Sequence, residues 1–192
     1  LARFAKENPG IKIIDNIGAL DQVIDKIHNR DVDFGLFLAY GEVKSIRSEV
    51  LGRQKLVFVS APGHPLAACR DLTYRDLADH PFISPVKDTQ YGNLLKSVFA
   101  DAGFSKQNTV IQSQNTVIRR ELILSGVSIS CALHSGWTDD LNSGELVTLD
   151  ISGDPLYLEV RIGSLADRKI SDASLKFVDF LHVMKIKGTF DS

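Results

Sequence analysis

The stretch PFISPVKDTQYGNLLKSVFADAGFSKQNTVIQSQNTVIRRELILSGVSISCA, residues 81–132, alternates between two kinds of apolar pattern. Short runs rich in Ile, Val and Phe predict strands at 82–84, 109–113 and 127–132. Between them, apolar residues recur at helical spacing and predict one helix around 94–99 and a second that Asn115 caps. Strands and helices that alternate in this way predict an α/β structure with a mainly parallel sheet.

The same alternation continues toward the amino terminus. Residues 1–8 predict the end of a helix, and 11–15 predict a strand. The apolar residues of 20–27 recur at i, i+3, i+4 and i+7, which indicates an amphipathic helix, and 32–38 predicts a buried strand. Strand, helix and strand in this order predict a parallel pair with a right-handed crossover.

Downstream, a strand at 55–60 runs into Ala61-Pro-Gly-His-Pro-Leu-Ala67, whose prolines and glycine end regular pairing. We interpret this segment as the first passage between two lobes. Thr73 and Asp76 have the spacing of a capping box at the start of a helix. Further strands are predicted at 146–149 and 156–162, and a final helix from Ser171.

Composition and charge exclude several classes of protein. The chain has 192 residues, 44% hydrophobic and 24% charged, with a formal net charge of −2, which is typical of a globular domain. No apolar run approaches the roughly 20 residues of a membrane span, and no secretory signal is visible. Without surplus positive charge, any contact with DNA is expected outside these residues. Cys69 and Cys131 are isolated, which predicts free thiols.

Short motifs, in their order and spacing, resemble the effector-binding domain of LysR-type transcription regulators over nearly the whole chain. They are Leu1-x-x-Phe4 with Pro9 and Ile11, Gly18, Asp31-Val-Asp-Phe-Gly-Leu-Phe37, His64-Pro-Leu-Ala67, Leu77-x-x-His80-Pro81, Ile123-Leu-Ser-Gly-Val-Ser-Ile-Ser130, Gly144-Glu-Leu-Val147 and Leu156-Tyr-Leu-Glu-Val160.

The resemblance implies two Rossmann-like α/β lobes of type II periplasmic binding protein form, joined by two crossover segments. The first lobe would comprise 1–60 and 155–192, and the second 61–154. A small-molecule effector would sit in the cleft between them. It also implies a cytoplasmic homodimer or homotetramer that binds promoter DNA through a winged helix-turn-helix upstream of these residues.

The chain departs from the family pattern at three places. Arg30 stands where the family often has Gly, and Leu133-His134 stands where a late strand often ends in Leu-Pro. The family's first strand would precede Leu1 and is missing, so the natural protein is expected to continue upstream.

The residues do not favour an enzyme. There is no Gly-x-Ser-x-Gly, phosphate loop, Gly-x-Gly-x-x-Gly or His-Glu-x-x-His, and the five histidines are scattered without metal-ligand spacing. Gly126-Val-Ser-Ile-Ser130 is a near miss, but it joins a helix to a strand, the reverse of a nucleophile elbow. We therefore expect no catalytic residue, no cofactor and no metal. The alternative that stays open is a periplasmic solute-binding protein of the same fold.

Ligands of open α/β sheets bind beyond the carboxyl ends of strands, beside helix amino termini that favour anions. By this rule, and for Leu38 by resemblance to the family, the predicted effector-binding residues are Gly18, Ala19, Leu38, Ser84, Gln112, Ser113, Gln114, Asn115 and His134. Because Leu38 is apolar, we hypothesise a small carboxylate with an apolar body.

Three other features are interpreted as structural. Adjacent Arg119 and Arg120 point about 100° apart on a helix, which favours a solvated face over a phosphate patch. Trp137 is expected to pack beneath the loop 135–143, and Asp139-Asp140 in that loop to be a solvated acidic pair.

Overall fold

The computed structural model describes residues 1–14, 20–44, 46–165 and 171–186. These residues form two compact units. Unit 1 contains the described residues up to Arg53 and from Glu159 onward, and unit 2 is Gln54–Leu158. The chain passes between the units inside two long strands. The predicted lobes, 1–60 with 155–192 and 61–154, remain a prediction.

Unit 1 combines helices with an antiparallel strand pair. Its elements are α1 (Ala2–Glu7), α2 (Leu20–His28), β1 (Gly35–Ala39), the first part of β2 (Arg47–Ser60), the last part of β7 (Leu156–Ser164) and α7 (Asp172–Ile186). Strand β1 pairs antiparallel with β7, from Gly35 opposite Gly163 to Ala39 opposite Glu159.

The apolar stripe predicted for 20–27 becomes the buried face of α2. Ile27 is fully buried against Phe37 and Ala39 of β1. A second cluster joins α7 to the strands through Leu181, Leu51 and Ile162. Each cluster removes apolar side chains from water, which is the main favourable term in folding such a unit.

Unit 2 holds three neighbouring strands that run in the same direction. They are β4 (Asn108–Gln112), β3 (Pro81–Ser84) and β5 (Ile129–Leu133), with β3 parallel to both others. The last part of β2 pairs antiparallel with β5 and with the short β6 (Val147–Thr148). The helices of this unit are α3 (Tyr74–Ala78), α4 (Gln90–Asp101), α5 (Thr116–Leu124) and α6 (Thr138–Ser143).

Strand β2 carries apolar residues toward both sides of the unit 2 sheet. Val57 and Val59 join Ile83, Ile123 and Trp137 in one cluster. Phe58 contacts an aromatic cluster formed by Tyr74, Phe82, Phe99 and Phe104. Burial on both faces explains why β2 reads as a continuous apolar run. The prediction that Trp137 is a packing residue is confirmed.

Several local expectations need correction. Residues 11–14 form no strand, and Asp15 lies outside the described residues; without a pairing strand, the apolar composition of 11–14 does not make a ladder. The predicted parallel pair beside α2 is therefore absent from the described residues. The sheet pairings are mixed rather than mainly parallel, because β2 and β7 pair antiparallel with their partners. The predicted loop 135–143 contains a 3-10 helix and α6.

Candidate functional site

The parallel strands of unit 2 end at one edge of their sheet, and polar residues follow each end. Ser84 closes β3 opposite Gln112, which closes β4, and His134 follows β5. The backbone N–H of Ser113 donates to the carbonyl of Ser84 at 3.0 Å. The structure thus brings the predicted residues Ser84, Gln112 and Ser113 together. We call this group, with Gln114, Asn115 and His134, the carboxyl edge of unit 2.

Asn115 is the N-cap residue of α5, and its side chain caps the helix. Its Oδ1 accepts from the backbone N–H groups of Val117 at 2.9 Å and Ile118 at 3.2 Å. The hydroxyl of Ser113 accepts from the N–H of Asn115 at 3.1 Å and so fixes the turn into the helix. The predicted cap is confirmed. The exposed side chains of Gln112 and Gln114 flank this turn and are the groups at the edge that a ligand can reach.

Arg119, one turn into α5, is buried, and the prediction that it belongs to a solvated face is wrong. Only 6% of its surface is exposed. Its Nη2 donates to Ser130 Oγ at 2.9 Å and to the carbonyl of Cys131 at 3.1 Å, whereas its Nε has no hydrogen-bond partner. Position 119 shares a helix face with the fully buried Ile123, four residues later, and this i, i+4 spacing was the available signal.

No carboxylate in the described part of the chain pairs with Arg119. The titratable groups that interact electrostatically with Arg119 are Tyr91 and Cys131. Desolvation raises the pKa of the Tyr91 hydroxyl and of the buried Cys131 thiol, so both stay neutral at physiological pH. Burial also lowers the pKa of Arg119, but a guanidinium keeps its proton in proteins. Unit 2 therefore holds a buried positive charge between α5 and β5.

Arg120 and the acidic pair behave differently from Arg119. Arg120 donates to Asp140 from Nε at 2.7 Å and also pairs with Glu145. Asp140 is therefore engaged in an ion pair, which corrects the expectation of a purely solvated Asp139-Asp140 pair. These contacts join α5 to α6 and to the residue that follows its C-cap, and they pair the Arg120 guanidinium with two carboxylates.

The other predicted residues lie apart from this group or outside the described residues. Leu38 is half-buried in β1 of unit 1, opposite Val160. Gly18 and Ala19 lie outside the described residues. The effector cleft that the resemblance implies, and the roles of all these residues, stay predictions. His134 is half-buried and also borders a cavity of about 350 Å³ in unit 2.

The five histidines and both cysteines lie within residues 1–14, 20–44, 46–165 and 171–186. No group of three or more His, Cys, Asp or Glu residues in those ranges is arranged to hold a metal ion. None of their helices is long and apolar enough to cross a membrane. Cys69 is exposed and Cys131 buried, both as free thiols, as predicted.

Parallel strands that end at a polar edge, in a chain that divides into two units of helices and strands, are typical of α/β domains that bind a ligand at that edge. The family model of the LysR substrate binding domain matches residues 1–184. The chain belongs to this family.

Curated relatives agree with this assignment. The transcriptional regulator CbbR of Sinorhizobium medicae is 24% identical over 94% of this chain and 58% of its own length. The RuBisCO operon transcriptional regulator of Acidithiobacillus ferrooxidans is 23% identical over 98% of this chain and 60% of its own length. The chain thus spans about three fifths of these relatives.

Solved structures show the same fold. The regulatory domain of CcmR from Synechocystis PCC6803, in complex with 2-PG, superposes with a TM-score of 0.84 at 19% identity, covering 100% of this chain and 90% of that one. The effector binding domain of QuiR, in complex with shikimate, gives a TM-score of 0.75 at 24% identity, covering 97% and 88%. The expected two-lobed LysR-type fold is confirmed.

Proposed function

We propose that this domain senses a small carboxylate and that its occupancy controls DNA binding by a winged helix-turn-helix elsewhere in the same regulator. In this proposal the regulator acts in the cytoplasm as a homodimer or homotetramer, and the domain catalyses no reaction. The ligand contacts the carboxyl edge of unit 2, where Gln112, Gln114 and His134 orient its polar groups.

The observation that carries the proposal is the buried charge of Arg119. Removing a guanidinium from water costs several kcal/mol, by order of magnitude, unless an opposite charge and hydrogen bonds compensate it. Within the described residues Arg119 has hydrogen bonds but no carboxylate partner. An anion that binds near the start of α5 would gain from this charge, and from the helix dipole, at little further cost to the protein.

The relatives support the same class of ligand. Shikimate, which is bound to the QuiR domain, carries a carboxylate, and the CcmR domain is bound to 2-PG. The curated relatives are transcriptional regulators, which favours a regulator over a periplasmic solute-binding protein of the same fold.

Thermal melting of the purified chain tests the ligand class. Shikimate, 2-PG and benzoate serve as probes, and benzamide and methyl shikimate as uncharged controls. We expect at least one acid to raise the Tm in a saturable way, because a ligand that binds only the folded state stabilises it. Where that acid is shikimate or benzoate, its uncharged counterpart should raise the Tm less. If none of the acids raises the Tm, the proposal of a carboxylate sensor fails.

A pair of variants tests the role of Arg119. Arg119→Met removes the buried charge but keeps an unbranched side chain, and Arg120→Gln removes the neighbouring surface charge as the matched control. We expect Arg119→Met to raise the Kd of the acid by about tenfold or more and Arg120→Gln to change that Kd by less than about twofold. Equal affinity in wild type and Arg119→Met would show that this charge does not attract the ligand.

The regulatory part of the proposal needs the full-length protein. Sedimentation should give a dimer or tetramer, and the acid that stabilises the domain should change the footprint on promoter DNA, because an effector shifts only those equilibria for whose states it has different affinities. A monomer, or an unchanged footprint at saturating acid, would contradict it.

A further inference from the structure

The cavity of about 350 Å³ in unit 2 is lined mainly by residues outside the carboxyl edge. Its walls come from the β2 segment 55–58, from Arg70 and Tyr74 around the start of α3, and from 148–156 between β6 and β7. Only His134 belongs both to this cavity and to the carboxyl edge. A volume of this size lies in the range of small-molecule sites.

The charged groups of the cavity balance one another. Lys55 and Arg70 supply two positive charges, and Asp150 and Asp154 supply two negative ones. A ligand with net charge gains little from such a lining, whereas one that carries both charges can pair with each sign. The balance therefore favours a zwitterion.

Two of these charged side chains, Arg70 and Asp150, form a long ion pair. Arg70 Nη1 lies 3.7 Å from Asp150 Oδ2, and 81% of the Arg70 side chain is exposed. An exposed pair of this kind contributes little to folding. A ligand carboxylate can therefore replace Asp150 as the partner of Arg70, and a ligand ammonium can pair with the freed carboxylate. Neither change should lower the free energy of unfolding by much.

Tyr74 gives the cavity an apolar wall with a polar tip. Its ring stacks on Phe104 at a centroid distance of 5.2 Å and also contacts Phe58. Desolvation raises the pKa of its hydroxyl, which stays protonated at neutral pH and can donate. Pro155 and Leu156 extend the apolar surface. The wall suits a ligand with an apolar or aromatic side chain.

We propose that this cavity binds a free α-amino acid with an apolar or aromatic side chain. The ligand carboxylate pairs with Arg70, its ammonium with Asp150 and Asp154, and its side chain lies against Tyr74. The bound amino acid would link the β2 segment to the residues that lead into β7, the two places where the chain enters and leaves unit 2. This site shares only His134 with the carboxylate sensor proposed above, and the residues that carry its charges lie outside the carboxyl edge.

Isothermal titration of the purified chain with each of the standard amino acids, and with the methyl ester and N-acetyl derivative of any that binds, tests the site. We expect saturable binding of at least one apolar or aromatic amino acid and about tenfold or greater weakening when either ligand charge is blocked. If none of the amino acids binds, or if both blocked derivatives bind as well as the parent, the proposal is overturned.

Variants locate the binding. We expect the Kd of the amino acid to rise about tenfold in Arg70→Gln and in Asp154→Asn. The exposed controls Arg75→Gln and Asp139→Asn should change that Kd by less than about twofold. Gln112→Ala, at the carboxyl edge, should leave amino acid binding unchanged, so that failure of this site and failure of the carboxylate sensor are distinguishable. Binding that survives both cavity variants would place the amino acid elsewhere and sink the proposal.

Discussion

Arg119 and Ser130 connect a helix to two strands of unit 2. Nη2 of Arg119 donates to Oγ of Ser130 at 2.9 Å, and that hydroxyl donates to the carbonyl of Ile83 at 2.8 Å. The chain of hydrogen bonds runs from α5 through β5 to β3, and Ser130 is fully buried within it. Such a buried network is stabilising only while every member keeps its partners.

Ser130→Ala removes the middle of this network. We expect the free energy of unfolding to fall by about 1–3 kcal/mol, because the Arg119 guanidinium loses a partner where water cannot replace it. Urea denaturation measures the change. Ser97→Ala is the control, since the exposed Ser97 hydroxyl donates to the carbonyl of Asn93 on its own helix, and its loss should matter less than about 0.5 kcal/mol. Equal effects of the two variants would contradict the network.

Asn115→Ala removes the cap of α5. Its Oδ1 accepts from two backbone N–H groups of the first helical turn, which have no carbonyl partner within the helix, so we expect a loss of about 1 kcal/mol in unfolding free energy. Asn93→Ala is the matched control, an exposed asparagine within α4, where alanine is the better helix former. The prediction fails if Asn93→Ala destabilises the domain as much as Asn115→Ala in urea denaturation.

Local patterns in the sequence predicted most elements of unit 2. Asn115 marks the start of α5, and Thr73 with Asp76 marks α3, where Asp76 Oδ2 accepts from the N–H of Thr73 at 2.7 Å. Strand direction was harder to predict. The antiparallel partner of β5 is β2, about seventy residues earlier, and a period-2 pattern carries no information about which distant strand pairs or in which direction.

The sequence also predicted part of the candidate site. The rule that ligands bind beyond the carboxyl ends of parallel strands selected Ser84 and the turn from Gln112 to Asn115, which the structure brings together at one edge. Arg119 was missed because its charge suggested a solvated position. Its helix face decides its burial, and only the i, i+4 relation to Ile123 reveals that face in the sequence.

Stability should fall in mild acid because of His64. This residue is 4% exposed, its Nδ1 accepts from the N–H of Leu66 at 3.2 Å, and the His80 ring lies 5.2 Å away. Burial, followed by repulsion from His80, lowers the pKa of His64 below 6.5 in the folded state. The unfolded chain therefore binds this proton more readily, so the contribution is fully present above pH 6.5 and is lost as the pH falls through the folded pKa.

The variant His64→Asn removes the titration and keeps an oxygen that can accept from Leu66. We expect its unfolding free energy to depend less on pH than that of wild type between about pH 8 and about pH 5. His28→Asn, at an exposed histidine of α2, should keep the wild-type slope. Urea denaturation across this pH range measures the dependence. If the unfolding free energies of wild type and His64→Asn change equally with pH, His64 is excluded as the source of the acid destabilisation.

Gly92 in α4 is required for a close approach rather than for a special backbone angle. A Cβ at this position would lie 2.4 Å from the carbonyl oxygen of Val86, the same oxygen that accepts from Thr89 Oγ1 at 2.8 Å. The carbonyl cannot move without disturbing the Thr89 cap, so Gly92→Ala should lower the unfolding free energy by about 1–3 kcal/mol although alanine favours helices. Gly136→Ala is the control, since nothing lies within 4 Å of its Cβ position. A Gly92→Ala variant that melts at or above the wild-type Tm would show that the turn from Val86 to Thr89 adjusts freely, and that the tight contact does not fix the start of α4.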